Sequence, residues 1–157
     1  MSKININISA GDGIDPVDLQ GATVTILNTT AGGTFNVISG AVTSNGAQAA
    51  ATPITAGTLE VREDTGVQGI SAIVFPQTVS AGSQFISIKY GGDQQTPATE
   101  LFYTLPHGQA ASVDFAAGYS YTFNITAKKS GLTLDGSNIT NWTDYGDEFS
   151  GEATPTP

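Results

Sequence analysis

One histidine, His107, is available to act as a base in this 157-residue chain, so any Ser-His-Asp arrangement would have to be built on it. It sits between Pro106 and Gly108, a turn setting with no surrounding motif that would aim a nucleophile. A zinc site needs several nitrogen or sulfur ligands, and the chain has neither a second histidine nor any cysteine. The missing thiols also remove disulfides and thiol catalysis, without fixing a compartment. Asp12, Asp15 and Asp18 invite a calcium reading. A calcium loop, however, takes oxygens at alternate positions and closes with a glutamate. Intervals of three interrupted by Pro16 suit turns and helix capping instead. Asp144, Asp147 and Glu148 form a second acidic cluster of the same kind. Carboxylate pairs that hydrolyse sugars are defined by their separation in space, which spacing along the chain does not give. Gly91-Gly92 precedes no helix, so nothing cradles a phosphate. Trp142, Tyr145 and Tyr90 are flat surfaces on which sugar rings could stack, whereas Tyr119 and Tyr121 read as core residues with polar tips. A covalent Lys3–Asn124 cross-link would need both side chains buried beside an acid, and parity puts Asn124 on a polar face. No catalytic, cofactor-binding or metal-binding residues are expected, and no cofactor.

The elements that must position these residues are strands. Hydrophobic residues make up 39% of the chain, enough for a core. Only 12% are charged, about half of the usual ~25%. Thr, Ser, Asn and Gly take the solvent-facing positions instead, which favours pleated sheet. The net charge of −9 repels a phosphate backbone, so nucleic acid is excluded as a partner. Lys128-Lys129 is too small a cluster to reverse this, and anionic membrane surfaces are disfavoured for the same reason. No apolar run approaches the ~20 residues that cross a bilayer, so this segment is not expected to insert in a membrane. Met1-Ser2-Lys3 does not open a signal peptide.

From Lys3 to Ser9 the chain alternates strictly, with Ile4, Ile6 and Ile8 on one face and Asn5 and Asn7 on the other. Asp15-Pro16 suits the first turn of a short helix ending at Gly21. Val24 and Ile26 mark a strand, and Phe35 and Val37 a short third one. Residues 40–57, rich in Ala, Gly, Ser and Thr, read as a long loop with at most a short strand. Leu59 and Val61 alternate with Glu60 and Arg62 in an expected exposed strand. Ser71–Phe75, stopped by Pro76, predicts a strand buried on both faces. Ile86, Ile88 and Tyr90 share a face, as do Leu101, Tyr103 and Leu105. Tyr119, Tyr121, Phe123 and Ile125 oppose Ser120, Thr122, Asn124 and Thr126 in the clearest element of all. From Asp135 onward the chain carries acids and no bases and ends in Thr-Pro-Thr-Pro, so a tail is expected to open at Asp135. Eight or more short strands without a long helix predict an all-β, antiparallel two-sheet β-sandwich of the immunoglobulin-like kind. Residues 1–143 form this domain, and 144–157 an acidic, flexible tail.

Several segments resemble the fimbrillin family of Gram-negative anaerobes. Ser2-Lys-Ile-Asn-Ile6 is similar to a Ser-Lys-aliphatic strand of that family, and Ala72-Ile-Val-Phe-Pro-Gln77 to its aliphatic-Pro-Gln strand end. Phe115-Ala-Ala-Gly-Tyr-Ser-Tyr-Thr-Phe-Asn-Ile-Thr126 matches a Phe-x-x-Gly-x-x-Tyr-x-aliphatic strand. Ser130-Gly-Leu132 and Ile139-Thr-Asn-Trp142 resemble the closing segment. The resemblance implies the C-terminal of two transthyretin-like domains, preceded in the full-length protein by a signal peptide, a lipidated cysteine and another domain. It further implies a non-enzymatic structural or adhesive protein of the cell surface and outer membrane, a fimbrial subunit. Its partners would be other pilin subunits, of the same or another kind, and host or bacterial surface glycans or proteins. Such subunits join by strand donation, for which Ile4, Ile6, Ile8, Ile139, Trp142 and Tyr145 are the expected partner-strand or interaction residues. After Trp142 the chain departs from a clean donor strand, because Ile139, Trp142, Tyr145 and Phe149 recur at intervals of three and share no pleat face. A tip or accessory subunit is thus as consistent as a shaft subunit. The rival reading is a carbohydrate-binding module of the same architecture, stacking sugar on Trp142. A hydrolase comes third, since sandwiches host all three.

Overall fold

In the computed structural model the described residues are 1–30, 32–44, 54–60, 68–93, 95, 97–105 and 112–141. Strict alternation makes the opening segment a strand, β1 (Ser2–Ala10), with Ile4, Ile6 and Ile8 wholly buried. A single 3-10 turn, Pro16–Leu19, follows, where proline's fixed φ starts the turn. Next come β2 (Thr23–Ile26), β3 (Gly33–Phe35), β4 (Val42–Ser44) and β5 (Ile54–Thr58). Then follow β6 (Gln68–Val74), β7 (Gln77–Ser80), β8 (Gln84–Tyr90) and β9 (Thr99–Thr104). The last are β10 (Ser112–Phe115), β11 (Tyr119–Lys128) and β12 (Gly131–Asn141).

Two four-stranded sheets form the sandwich, in the orders β12-β11-β1-β6 and β5-β2-β8-β9, with two-stranded pieces β10-β7 and β3-β4 beside them. Their facing sides meet in one core. Phe85 lies at its centre, stacked on Phe115 at 5.1 Å between ring centroids and tilted against Phe123 at 5.5 Å. Tyr121 meets Phe115 edge-on at 4.9 Å, an arrangement favoured by the aromatic quadrupole. The Tyr121 hydroxyl accepts the Ala116 N–H at 2.7 Å and donates to the Asp114 carbonyl at 3.0 Å, so its polar tip is satisfied.

The all-β sandwich agrees with the sequence expectation, but the direction of one pair does not. β1 runs parallel to β11, from Lys3 opposite Ser120 to Ala10 opposite Ala127, and antiparallel to β6. No hairpin joins β1 to β11, so no turn dictates their direction. Its start is pinned where the Met1 carbonyl accepts the Gly118 N–H at 2.9 Å and the Ser2 hydroxyl donates to the Ala116 carbonyl at 2.8 Å.

Six local expectations are corrected. Tyr119 is 40% exposed and not a core residue. Residues 40–57 hold two strands, β4 and most of β5, where at most one was expected. β6 is not buried on both faces: it is a sheet edge, Val74 faces the core and Ile73 is 54% exposed. Leu59 is not in an exposed strand; β5 stops at Thr58, and Leu59 is buried with its N–H bonded to the Ala22 carbonyl at 2.8 Å. Val37 belongs to a turn rather than to the third strand, which ends at Phe35. Asp135 opens no tail: it lies inside β12, a strand of 11 residues that the sequence reading passes over. Val61 and Arg62 fall outside the described residues.

Candidate functional site

The anticipated interaction residues separate into three groups. Ile4, Ile6 and Ile8 are core residues of an inner strand, clamped between β11 and β6. Ile139 is on the edge strand β12, opposite Tyr121 and 60% exposed. Trp142 and Tyr145 lie outside the described residues, as do His107, Asp144, Asp147 and Glu148. Of the other candidates, Asp18 caps the 3-10 turn, its carboxylate accepting the Asp15 N–H at 3.0 Å. Lys3 stands opposite Ser120, and exposed Asn124 accepts a hydrogen bond from Asn7 at 2.8 Å, so the two do not meet. Among the described residues no group of three His, Cys, Asp or Glu side chains is placed to hold a metal ion.

What the fold does assemble is a seam at one side of the sandwich. β12 and β9 are the edges of their respective sheets, and they approach each other there. Between them lies a cleft of about 110 Å³ lined by Tyr103, Leu105, Val113, Tyr121, Leu134 and Ile139. Burial pushes the Tyr103 phenol above its ordinary value of 10.0, because the charged form loses water there. β12 itself has two unlike halves. The register slips by one residue where Asn124 faces Gly136 and Ile125 faces Leu134, leaving Asp135 as the extra residue of a bulge. The Thr126 hydroxyl donates to the Asp135 carboxylate across it. A bulge carrying a charge blunts a sheet edge against unwanted pairing. Gly136–Asn141 beyond it carries no charge, and among the described residues its outer side has no strand partner. Sequence reasoning missed both the strand and the cleft; Leu132 and Leu134 alternate, but the bulge breaks the period before Ile139.

The opposite, outward face of the same sheet is a ladder of neutral polar groups. Asn5 donates to Ser120 at 2.8 Å, Asn7 to Asn124 at 2.8 Å, and Ser9 pairs with Thr126 at 3.0 Å. A shallow groove of about 320 Å³ runs along it past Asn5, Asn7, Gly69, Ser71 and Thr122.

A two-sheet domain whose edge strand is uncharged beyond the Asp135 bulge, and whose described residues build a core and a polar ladder, has the form of a structural or binding module. Residues 1–142 match the family model described as Fimbrillin-like, and the chain belongs to that family. The family is structural and non-enzymatic. A protein of Bacteroides uniformis named as a fimbrium subunit, Fim1C, is 30% identical over 142 residues, covering 90% of this chain and 42% of its own length. A solved structure from Bacteroides uniformis, described as a cell adhesion protein, superposes with a TM-score of 0.61 at 22% identity, over 90% of this chain and 51% of that one. Another of the same description from Bacteroides ovatus gives a TM-score of 0.65 at 18% identity, over 92% and 46%. The two structures support the fold. This chain spans about half the length of these relatives.

Proposed function

We propose that this chain is a domain of a fimbrial subunit displayed at the cell surface, held at the outer membrane, and joined to other pilins by strand donation. The observation that carries the proposal is how the chain leaves its sheet. β12 is both the last described strand and an edge strand, so Asn141 lies at the margin of its sheet and not inside it. β1 is the opposite case. It is hydrogen-bonded on both sides and buries Ile4, Ile6 and Ile8 completely, so surrendering it would open the core. The N-terminal strand of this domain is therefore scaffold. Ile139 stays with the domain, being paired with Tyr121. Donation falls to the segment from Trp142 through Tyr145, whose main chain would pair with a neighbouring sheet while its side chains fill pockets there. Relatives named for cell adhesion favour an adhesive position in the fibre, with surface glycans or proteins as ligands.

The experiment compares the full-length protein with a version lacking residues 142–157, each held under the conditions in which the full-length protein forms fibres and viewed by electron microscopy. The shortened protein should keep its sheet circular dichroism and stay unpolymerised. Fibres of ordinary length from it would overturn the proposal. A second reading, a glycan-binding module, is favoured by the neutral groove at Asn5, Asn7, Ser71 and Thr122, whose amides and hydroxyls suit an uncharged polyhydroxylated ligand. Glycan-array binding lost in Asn7→Ala or Trp142→Ala, with the fold kept, would support that reading.

A further inference from the structure

The hairpin of β3 and β4 presents to water what a turn ordinarily hides. Asn36 fixes its tip: the side-chain oxygen accepts the N–H groups of Ile38 at 2.9 Å and Ser39 at 3.1 Å. The Asn36 carbonyl accepts the Gly40 N–H at 2.8 Å, and its own N–H donates to the Ala41 carbonyl at 2.9 Å. This bonded turn holds Phe35, Val37 and Ile38 at 61%, 82% and 95% exposure. Exposed turns draw on Gly, Asn, Asp and Ser, and single apolar residues on a surface need no explanation. Three of them on one rigid tip are a different matter. From Gly33 to Ser44 there is no charged residue.

The chain also carries a receptor of matching size. The seam cleft, at about 110 Å³, exceeds the ~30 Å³ share of one water and falls below the ~150 Å³ cavity that takes benzene. That is room for one branched aliphatic side chain. Its lining residues Tyr103, Leu105, Val113, Tyr121, Leu134 and Ile139 are uncharged at neutral pH. Two copies of a chain with net charge −9 repel each other, so uncharged surfaces are where they can approach most closely.

We infer that the hairpin tip of one copy, led by Ile38, seats in the Tyr103–Ile139 cleft of a second copy. Tip and cleft are different patches, so the contact is heterologous and each copy keeps a free tip or a free cleft for the next subunit in a row. Such a contact is small, and it matters most between subunits already tethered in a fibre, where effective concentration is high. It presupposes a chain that assembles, as proposed above, but it does not use residues 142–157.

The absence of cysteine permits a clean trap. Ser39→Cys, beside Ile38, and Ser137→Cys, at the cleft, are made in separate copies, one of them tagged, and mixed under mild oxidation. Both positions are exposed, so neither change threatens the core, and Ile38 and Ile139 are kept. The mixed 39–137 disulfide should accumulate severalfold over either like-with-like dimer, and adding Ile38→Asp to the Ser39→Cys copy should abolish that excess. Product ratios that follow random collision, or an excess untouched by Ile38→Asp, would overturn the inference. The trap reads this contact whether or not strand donation occurs, so the two proposals fail separately.

Discussion

Replacing Ile6 by alanine removes three carbons from a side chain with no exposed surface, on a strand paired on both sides. At about 0.8 kcal/mol for each buried carbon the transfer loss is ~2.4 kcal/mol. The surrounding Phe123 and Ile70 belong to neighbouring strands of the same sheet and can close the hole only in part, which adds roughly 1–2 kcal/mol. The expected total is about 3.5–4.5 kcal/mol, a large fraction of the ~5–15 kcal/mol that holds a domain together. In urea, with a slope of about 1–3 kcal/mol/M, the midpoint should fall by roughly 1–4 M. Ile73→Ala on the neighbouring strand is the matched control. Its side chain is 54% exposed, so the same truncation should cost no more than about 1 kcal/mol. Equal midpoints for the two variants would refute the placement of β1 at the centre of its sheet.

Tyr121→Phe leaves the Ala116 N–H and the Asp114 carbonyl without their partner and should cost about 1–3 kcal/mol by thermal unfolding, with little change in circular dichroism. Gly92→Ala should destabilise by more than about 1 kcal/mol, because the backbone sits at φ 90° and a Cβ there would come within 2.8 Å of the Ala98 nitrogen. An alanine melting as the parent does would contradict that crowding. Tyr103 has a folded pKa raised above 10.0, so its neutral form is favoured by folding. Its contribution is complete below pH 10 and declines as pH rises past that value, since the unfolded chain releases the proton first. Tyr103→Phe should flatten this alkaline loss in pH-dependent urea titrations.

Alternation made some of these positions readable and left others dark. A period of two tells which side chains share a face, and Ile4, Ile6, Ile8, Tyr121, Phe123 and Ile125 all point inward as it implies, while Tyr119 at the start of β11 lies beyond the core and is 40% exposed. It says nothing about which strand lies alongside or in which direction, so the parallel β1–β11 pair was not legible. Ile73-Val74-Phe75 looked like a doubly buried run because apolar residues also occupy the outer side of an edge strand. β12 escaped notice because Asp135 and Gly136 interrupt its pattern at the bulge, and a bulge leaves no periodic trace. Leu59 is buried by its bonds to the segment around Ala22, a long-range partnership that spacing does not encode. Of the candidate interaction residues, the core isoleucines and Ile139 have a place in the fold. The cleft beside Ile139 could not be read at all, because its walls come from β9, β10, β11 and β12 together.

Immunogold electron microscopy tests most directly whether this chain is part of a surface fibre, using antibodies raised against the domain on cells that make the full-length protein. Gold should decorate filaments at the cell surface and disappear when the gene is deleted. Label confined to the cell interior, or filaments that persist unlabelled beside abundant protein, would contradict a fimbrial subunit.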